Sequence, residues 1–366
     1  MNTRERFVRT LTGQDVDRVP FMKVFGGTNA ALPHWESEYP GIALCIDEVL
    51  EFEGRYRGWQ IAPVNINFYC APGRRTVLED DAEKCIVREA DGTVEILRKG
   101  ADYSHQTIEW PVKGRNDWDR IRSWRLSPDD PSRFPPNWPD LVAEYRRRDY
   151  PLQLTHGGVF GWARTLLGDE PLMYAFYDDP ALVHEIMNAY TDNAIAVYER
   201  MCRQVEFDLI ECWEDMASKN GSMISPETFR TFMAPQYRKL RAFADAHHIP
   251  IILVDSDGLI EGLVPLMLEA GVTAMYPFEV QSGNDCFKML GAYPRLGIIG
   301  GLDKQVMARG KREIDAEIEK ARALIRQGRF IPGPDHFVLS DVTFEHYRYF
   351  MERLRHIVLE TGLGSA

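Results

Sequence analysis

From residue 151 onward, apolar runs of about five residues alternate with longer stretches whose apolar positions recur every three to four residues. The runs at 152–156, 207–212, 249–254, 272–276, 296–300 and 330–331 read as strands. The stretches at 157–203, 226–247, 259–270, 284–290, 311–327 and 344–359 read as helices. Strands separated by helices imply a parallel sheet with crossover connections. Ahead of this region, residues 3–12 predict a helix with Phe7, Val8 and Leu11 on one face, and residues 19–26 a first strand.

Residues 28–150 lack that rhythm. Residues 65–69 are a candidate second strand. Residues 76–100 alternate apolar and polar side chains around Asp91-Gly92, a strong hairpin signal, which predicts an antiparallel insertion. Residues 117–150, rich in Trp, Pro, Arg and Asp, predict helices and loops laid over one face. The glycine-rich phosphate-binding patterns are absent, which weakens a doubly wound nucleotide fold. The expectation is a (β/α)8 TIM barrel filling residues 1–366 as a single domain, with an irregular insertion at about 71–150.

Composition narrows the function classes. The formal net charge is −12, which opposes binding to nucleic acid and to anionic membranes. No apolar stretch is long enough to span a bilayer, and the polar N-terminus does not resemble a signal peptide. The six cysteines form no C-x-x-C pair, so reduced thiols in a cytoplasm are expected.

Barrel enzymes carry their chemistry at the C-terminal strand ends. Five consecutive strands here run into carboxylates: Glu211, Glu214 and Asp215; Asp255 and Asp257; Glu279; Asp303; and Asp335, followed by His336. The candidate catalytic groups are His336, Asp257, Glu214, Asp215, Glu279 and Asp303. Phe25, Tyr69, His156, Cys212 and Lys304 are candidates to touch substrate. Asp255, Asp257 and His336 could supply oxygen and nitrogen ligands to a divalent ion such as zinc. The same groups could instead do acid–base work, with carboxylate pKa values split by mutual repulsion. Plainer roles compete. Asp255, Asp285 or Asp303 could each be a helix cap, Asp257-Gly258 a tight turn, and Asp303-Lys304 an ion pair holding a loop.

Several motifs, in order, resemble the uroporphyrinogen decarboxylase superfamily: the opening through Asp17-Arg18-Val19-Pro20, Glu214-Asp215-Met216, Asp255-Ser256-Asp257-Gly258, Pro277-Phe278-Glu279-Val280, Gly300-Gly301-Leu302-Asp303-Lys304 and Ile331-Pro332-Gly333-Pro334-Asp335-His336. The resemblance implies a (β/α)8 barrel and one of two chemistries. Decarboxylases of the superfamily need no cofactor and grip substrate carboxylates with arginines after the first strand. This chain has Val24-Phe25-Gly26-Gly27 there. The cobalamin-dependent methyltransferases work with a corrinoid partner protein and hold zinc on a His-x-Cys pair and a later Cys. This chain has Asp255-Ser256-Asp257 and Asp335-His336 at those places. The resemblance therefore implies a methyltransferase-like enzyme acting on a small methylated substrate or a corrinoid-bound methyl group. The alternatives are a divergent decarboxylase and a non-catalytic corrinoid or tetrapyrrole binder.

Overall fold

The computed structural model describes residues 1–24, 31–66, 74–89, 91–99, 105–125 and 127–363. Seven parallel strands form the central sheet: β1 (Gln60–Ile61), β2 (Leu152–His156), β3 (Leu209–Trp213), β4 (Ile251–Asp255), β5 (Ala274–Tyr276), β6 (Gly297–Leu302) and β7 (Phe330–Pro334). They lie side by side in that order. Chain order equals sheet order, as sequential strand–helix crossovers of one hand require.

Two expectations need correction. The second strand is Gln60–Ile61, which pairs in register with Leu152 and Gln153, and not 65–69; Asn65 and Ile66 form no strand, and 67–69 lie outside the described residues. The expected first strand at 19–26 joins no ladder over its described part. Val24 nonetheless donates its amide to the Arg57 carbonyl at 3.0 Å, and its side chain abuts Gly333 of β7. Met22 and Val24 also enter the interior cluster. Residues 22–24 thus touch both edges of the seven-stranded sheet.

Strand alternation sorts the side chains into two faces. Leu209, Ile251, Leu253, Ala274, Tyr276, Ile299 and Ile331 pack together in the interior. Phe7 and Leu11 of the N-terminal helix (Thr3–Thr12) join them, and Leu11 lies against Gly297 at the start of β6. That helix is fixed by Asn2 and Glu5, which cap its first turn reciprocally. The alternate residues Leu152, Leu154, Ile210, Cys212, Ile252 and Val254 face the surrounding helices.

The insertion is larger than one hairpin. Strands Thr76–Asp80, Lys84–Arg88, Val94–Arg98 and His105–Glu109 form an antiparallel sheet in that order. Its central hairpin turns at Asp91-Gly92 as expected: Gly92 has φ of 103°, and the Asp91 carboxylate accepts the Thr93 amide at 2.8 Å. Helices Arg115–Arg125 and Trp138–Tyr145 follow. Among the described residues no helix is long and apolar enough to cross a membrane.

Candidate functional site

The C-terminal ends of β3 and β4, with Gln153 of β2, the segment around β1 and the residues after β7, enclose a cavity of about 760 Å³. Its walls carry Gln153, Glu211, Trp213, Asp215, Asp255, Asp257 and His336, closed by Tyr56, Arg57, Trp59, Ile61 and Phe337. Four carboxylates thus face one guanidinium and one imidazole. A smaller, more apolar groove of about 520 Å³ between the insertion and the 159–182 helices holds none of the sequence-expected groups.

The acidic groups differ in their surroundings. His336 Nε2 lies 3.1 Å from Asp257 Oδ2, and the Asp257 amide points at Asp215 Oδ1 from 3.4 Å. Asp255 ends β4 with its side chain inward and is 7% exposed. Its nearest cation is Arg57, with Nη1 at 3.9 Å. Burial, then the charges of Glu211, Asp215 and Asp257, push the Asp255 carboxyl well above its ordinary range. Asp215 is raised by burial and by Asp257. It sits at a φ of 44°, a left-handed conformation that a non-glycine residue adopts only when its surroundings hold it there. Arg164 contributes, donating to the Asp215 carbonyl at 2.7 Å.

Beneath them runs a chain of hydrogen bonds. Trp59 donates to Gln153 at 2.6 Å, Gln153 to Glu211 at 2.6 Å, and Tyr276 to Glu211 at 2.5 Å. Arg57 donates to the Tyr276 oxygen at 3.1 Å. Burial raises the Glu211 carboxyl against the pull of these donors. The strand-end pattern in the sequence names Glu211 without a role and passes over Gln153, Tyr276 and Arg57. Alternation was the available signal for the first three, since each lies on the inward register of its strand.

The remaining expected groups are placed elsewhere. Glu214 is fully buried and lies outside the cavity; it accepts the amides of Val159, Phe160 and Gly161 at 2.7, 2.8 and 3.0 Å and the Tyr237 hydroxyl. It caps the helix Val159–Leu167. Gly161 permits that approach, because a Cβ there would stand 2.4 Å from the Trp213 carbonyl oxygen. His156 and Cys212 are register partners on the outward face. Neither lines the cavity. His156 packs on Tyr190 with both ring nitrogens lacking a hydrogen bond, and burial lowers its pKa to about 3. Burial raises the Cys212 thiol well above its ordinary value.

Glu279, Asp303, Lys304 and Asp335 form a second layer beside His336. Lys304 Nζ donates to Glu279 at 3.2 Å, and Gly258 N to the other Glu279 oxygen at 2.9 Å. The suggested Asp303–Lys304 pair is absent among the described contacts; Asp303 instead accepts the Gln305 amide at 2.9 Å and Gln281 Nε2 at 2.6 Å. Asp335 accepts the amides of Lys304 and Val280. Asp285 is a helix cap, accepting the Lys288 amide. Phe25 and Tyr69 lie outside the described residues.

Two sets of side chains bring donor atoms within 4.8 Å of one another: Asp257, Glu279 and His336, and Asp215, Asp255 and Asp257. The set expected from sequence, Asp255, Asp257 and His336, is thus divided between them. The donors are oxygen and imidazole, which suit a hard or borderline divalent ion. Among the described residues no cysteine lines the cavity, and Cys212 faces away from it.

Among solved structures, a methyltransferase from Methanosarcina mazei superposes with a TM-score of 0.64 at 14% identity, covering 97% of this chain and 99% of that one. At this identity the likeness concerns the fold alone. A putative vitamin-B12 independent methionine synthase from Listeria monocytogenes reaches a TM-score of only 0.32 at 12% identity, over 61% of this chain and 68% of that one. No curated protein sequence matches the chain. The model of the uroporphyrinogen decarboxylase family matches residues 139–357, which include β2 to β7 and all four of the cavity's described carboxylates. The chain belongs to the uroporphyrinogen decarboxylase family.

Proposed function

We propose that the cavity is the active site of a methyltransferase-like enzyme that acts on a small methylated substrate, with a corrinoid partner protein as the methyl acceptor or donor. One observation carries the reading: four carboxylates line the cavity against a single arginine. A polycarboxylate such as a porphyrinogen needs the opposite balance. The likeness in fold to a methyltransferase is compatible with this branch.

A divalent ion held by Asp257 and His336, with Glu279 or Asp255, would polarise the heteroatom that carries the methyl group. The chain's own part is to hold protons. When a methyl group leaves a heteroatom as a cation equivalent, the heteroatom must take up a proton. Asp215 and Asp255 stand at the cavity wall, and burial raises both carboxyls, which favours their holding a proton there until a cation displaces it. Trp213, Trp59 and Phe337 give the cavity apolar walls that limit water.

The test is direct. Purified protein is mixed with cob(I)alamin and a panel of small O-, N- and S-methyl compounds. Growth of the methylcobalamin absorption with one of them is expected. Decarboxylation of uroporphyrinogen at an ordinary enzymatic rate, with no methyl transfer, would overturn the reading.

A second reading has one observation in its favour. A divergent decarboxylase requires an arginine in the pocket, and Arg57 lines it. Arg75 and Arg164 are engaged elsewhere: Arg75 pairs with Glu89, and Arg164 holds the Asp215 carbonyl.

A further inference from the structure

We infer that the cavity holds two cations, the second at an oxygen-only position formed by Asp215, Asp255 and Asp257. The inference rests on the reading above that a divalent ion binds here, and is independent of methyl transfer.

Asp257 belongs to both donor sets, each of which keeps its atoms within 4.8 Å. Ligand atoms on opposite sides of one ion, at bond lengths of about 2.1–2.5 Å, stand roughly 4–5 Å apart. Each set therefore has the span of one coordination sphere. A carboxylate has two oxygens and can bridge two ions about 4 Å apart. Asp257 is placed to do so, because its carboxylate lies 3.1 Å from His336 through Oδ2 and also presents an oxygen within 4.8 Å of those of Asp215 and Asp255.

Asp255 is the independent sign of a ligand. Its side chain is nine-tenths buried and borders the cavity. Among the described residues no hydrogen-bond donor reaches its carboxylate; Arg57 stays 3.9 Å away and donates instead to the Tyr276 oxygen. A buried carboxylate without donors is costly unless something cationic completes it. An oxygen-only set suits a hard ion such as Mg²⁺ or Mn²⁺, whereas the set with His336 also suits zinc.

The experiment counts ions. Chelator-treated full-length protein is titrated with Mn²⁺, and bound metal and the electron paramagnetic resonance spectrum are recorded. Two Mn²⁺ per chain are expected, the second attenuating the six-line signal of the first through a shared carboxylate. Asp215→Asn, Asp255→Asn and His336→Ala should each leave one ion and restore the uncoupled signal. One Mn²⁺ in the unaltered protein overturns the inference, as do two in both Asp215→Asn and Asp255→Asn. If Asp255→Asn does not fold, Asp215→Asn decides, because its carboxylate is 25% exposed. Two ions without methyl transfer would keep the inference and remove the functional reading; transfer with one ion would do the reverse.

Discussion

His336 and Asp257 meet across the mouth of the sheet, Nε2 to Oδ2 at 3.1 Å, although their strands, β7 and β4, are separated by β5 and β6. Only the curvature of the sheet brings them together. Asp257→Asn keeps the shape but removes a charge shared by both donor sets. It should weaken divalent-ion binding about 10–100-fold, as loss of a directly bound or supporting carboxylate does elsewhere. Calorimetric titration with Mn²⁺ at pH 7.5 measures this.

Arg57 should act in the opposite sense. It is the single arginine of a cavity with four carboxylates. Arg57→Met removes a competing positive charge, and divalent-ion affinity should rise by about tenfold at low salt, with the gain shrinking as salt is added. An unchanged affinity would mean that Arg57 does not offset the acidic groups.

His156 offers a pH test away from the cavity. Its folded pKa, lowered to about 3 by burial, lies below the ordinary value of 6.5. The unfolded chain therefore binds a proton that the folded chain refuses, and stability is lost as the pH falls below about 6.5. Between pH 7 and pH 5 this one group should cost about 2 kcal/mol. His156→Leu should abolish that part of the acid loss in urea denaturation curves and leave ion binding unchanged.

Glu214 should matter for stability alone. Glu214→Ala leaves three amides and the Tyr237 hydroxyl without their acceptor. A loss of about 3 kcal/mol is expected in chemical denaturation. The metal content of the protein that remains folded should equal that of the unaltered chain.

The contrast between Glu214 and Glu211 explains what was legible in the sequence. The strand-and-helix rhythm after residue 151 located β2 to β7, and the polar residues after them marked the right end of the sheet. Asp215, Asp255, Asp257 and His336 do share one cavity. What proximity to a strand end does not reveal is direction. Glu211 lies on the inward register with Leu209, while Cys212 and His156 lie on the outward one and Glu214 turns back to a helix N-terminus. A two-residue strand such as β1 is too short to leave a periodic signal, so Arg57, Trp59 and their neighbours were hidden in the irregular region. The turn at Asp91-Gly92 was readable because its chemistry is local.

Phe7 and Leu11 give the N-terminal helix a further consequence. By filling the interior at the strand starts, they close the floor of the sheet, and the described cavity lies toward its opposite end. Whatever binds beside Asp257 would approach from that end, on the side of the sheet away from this helix.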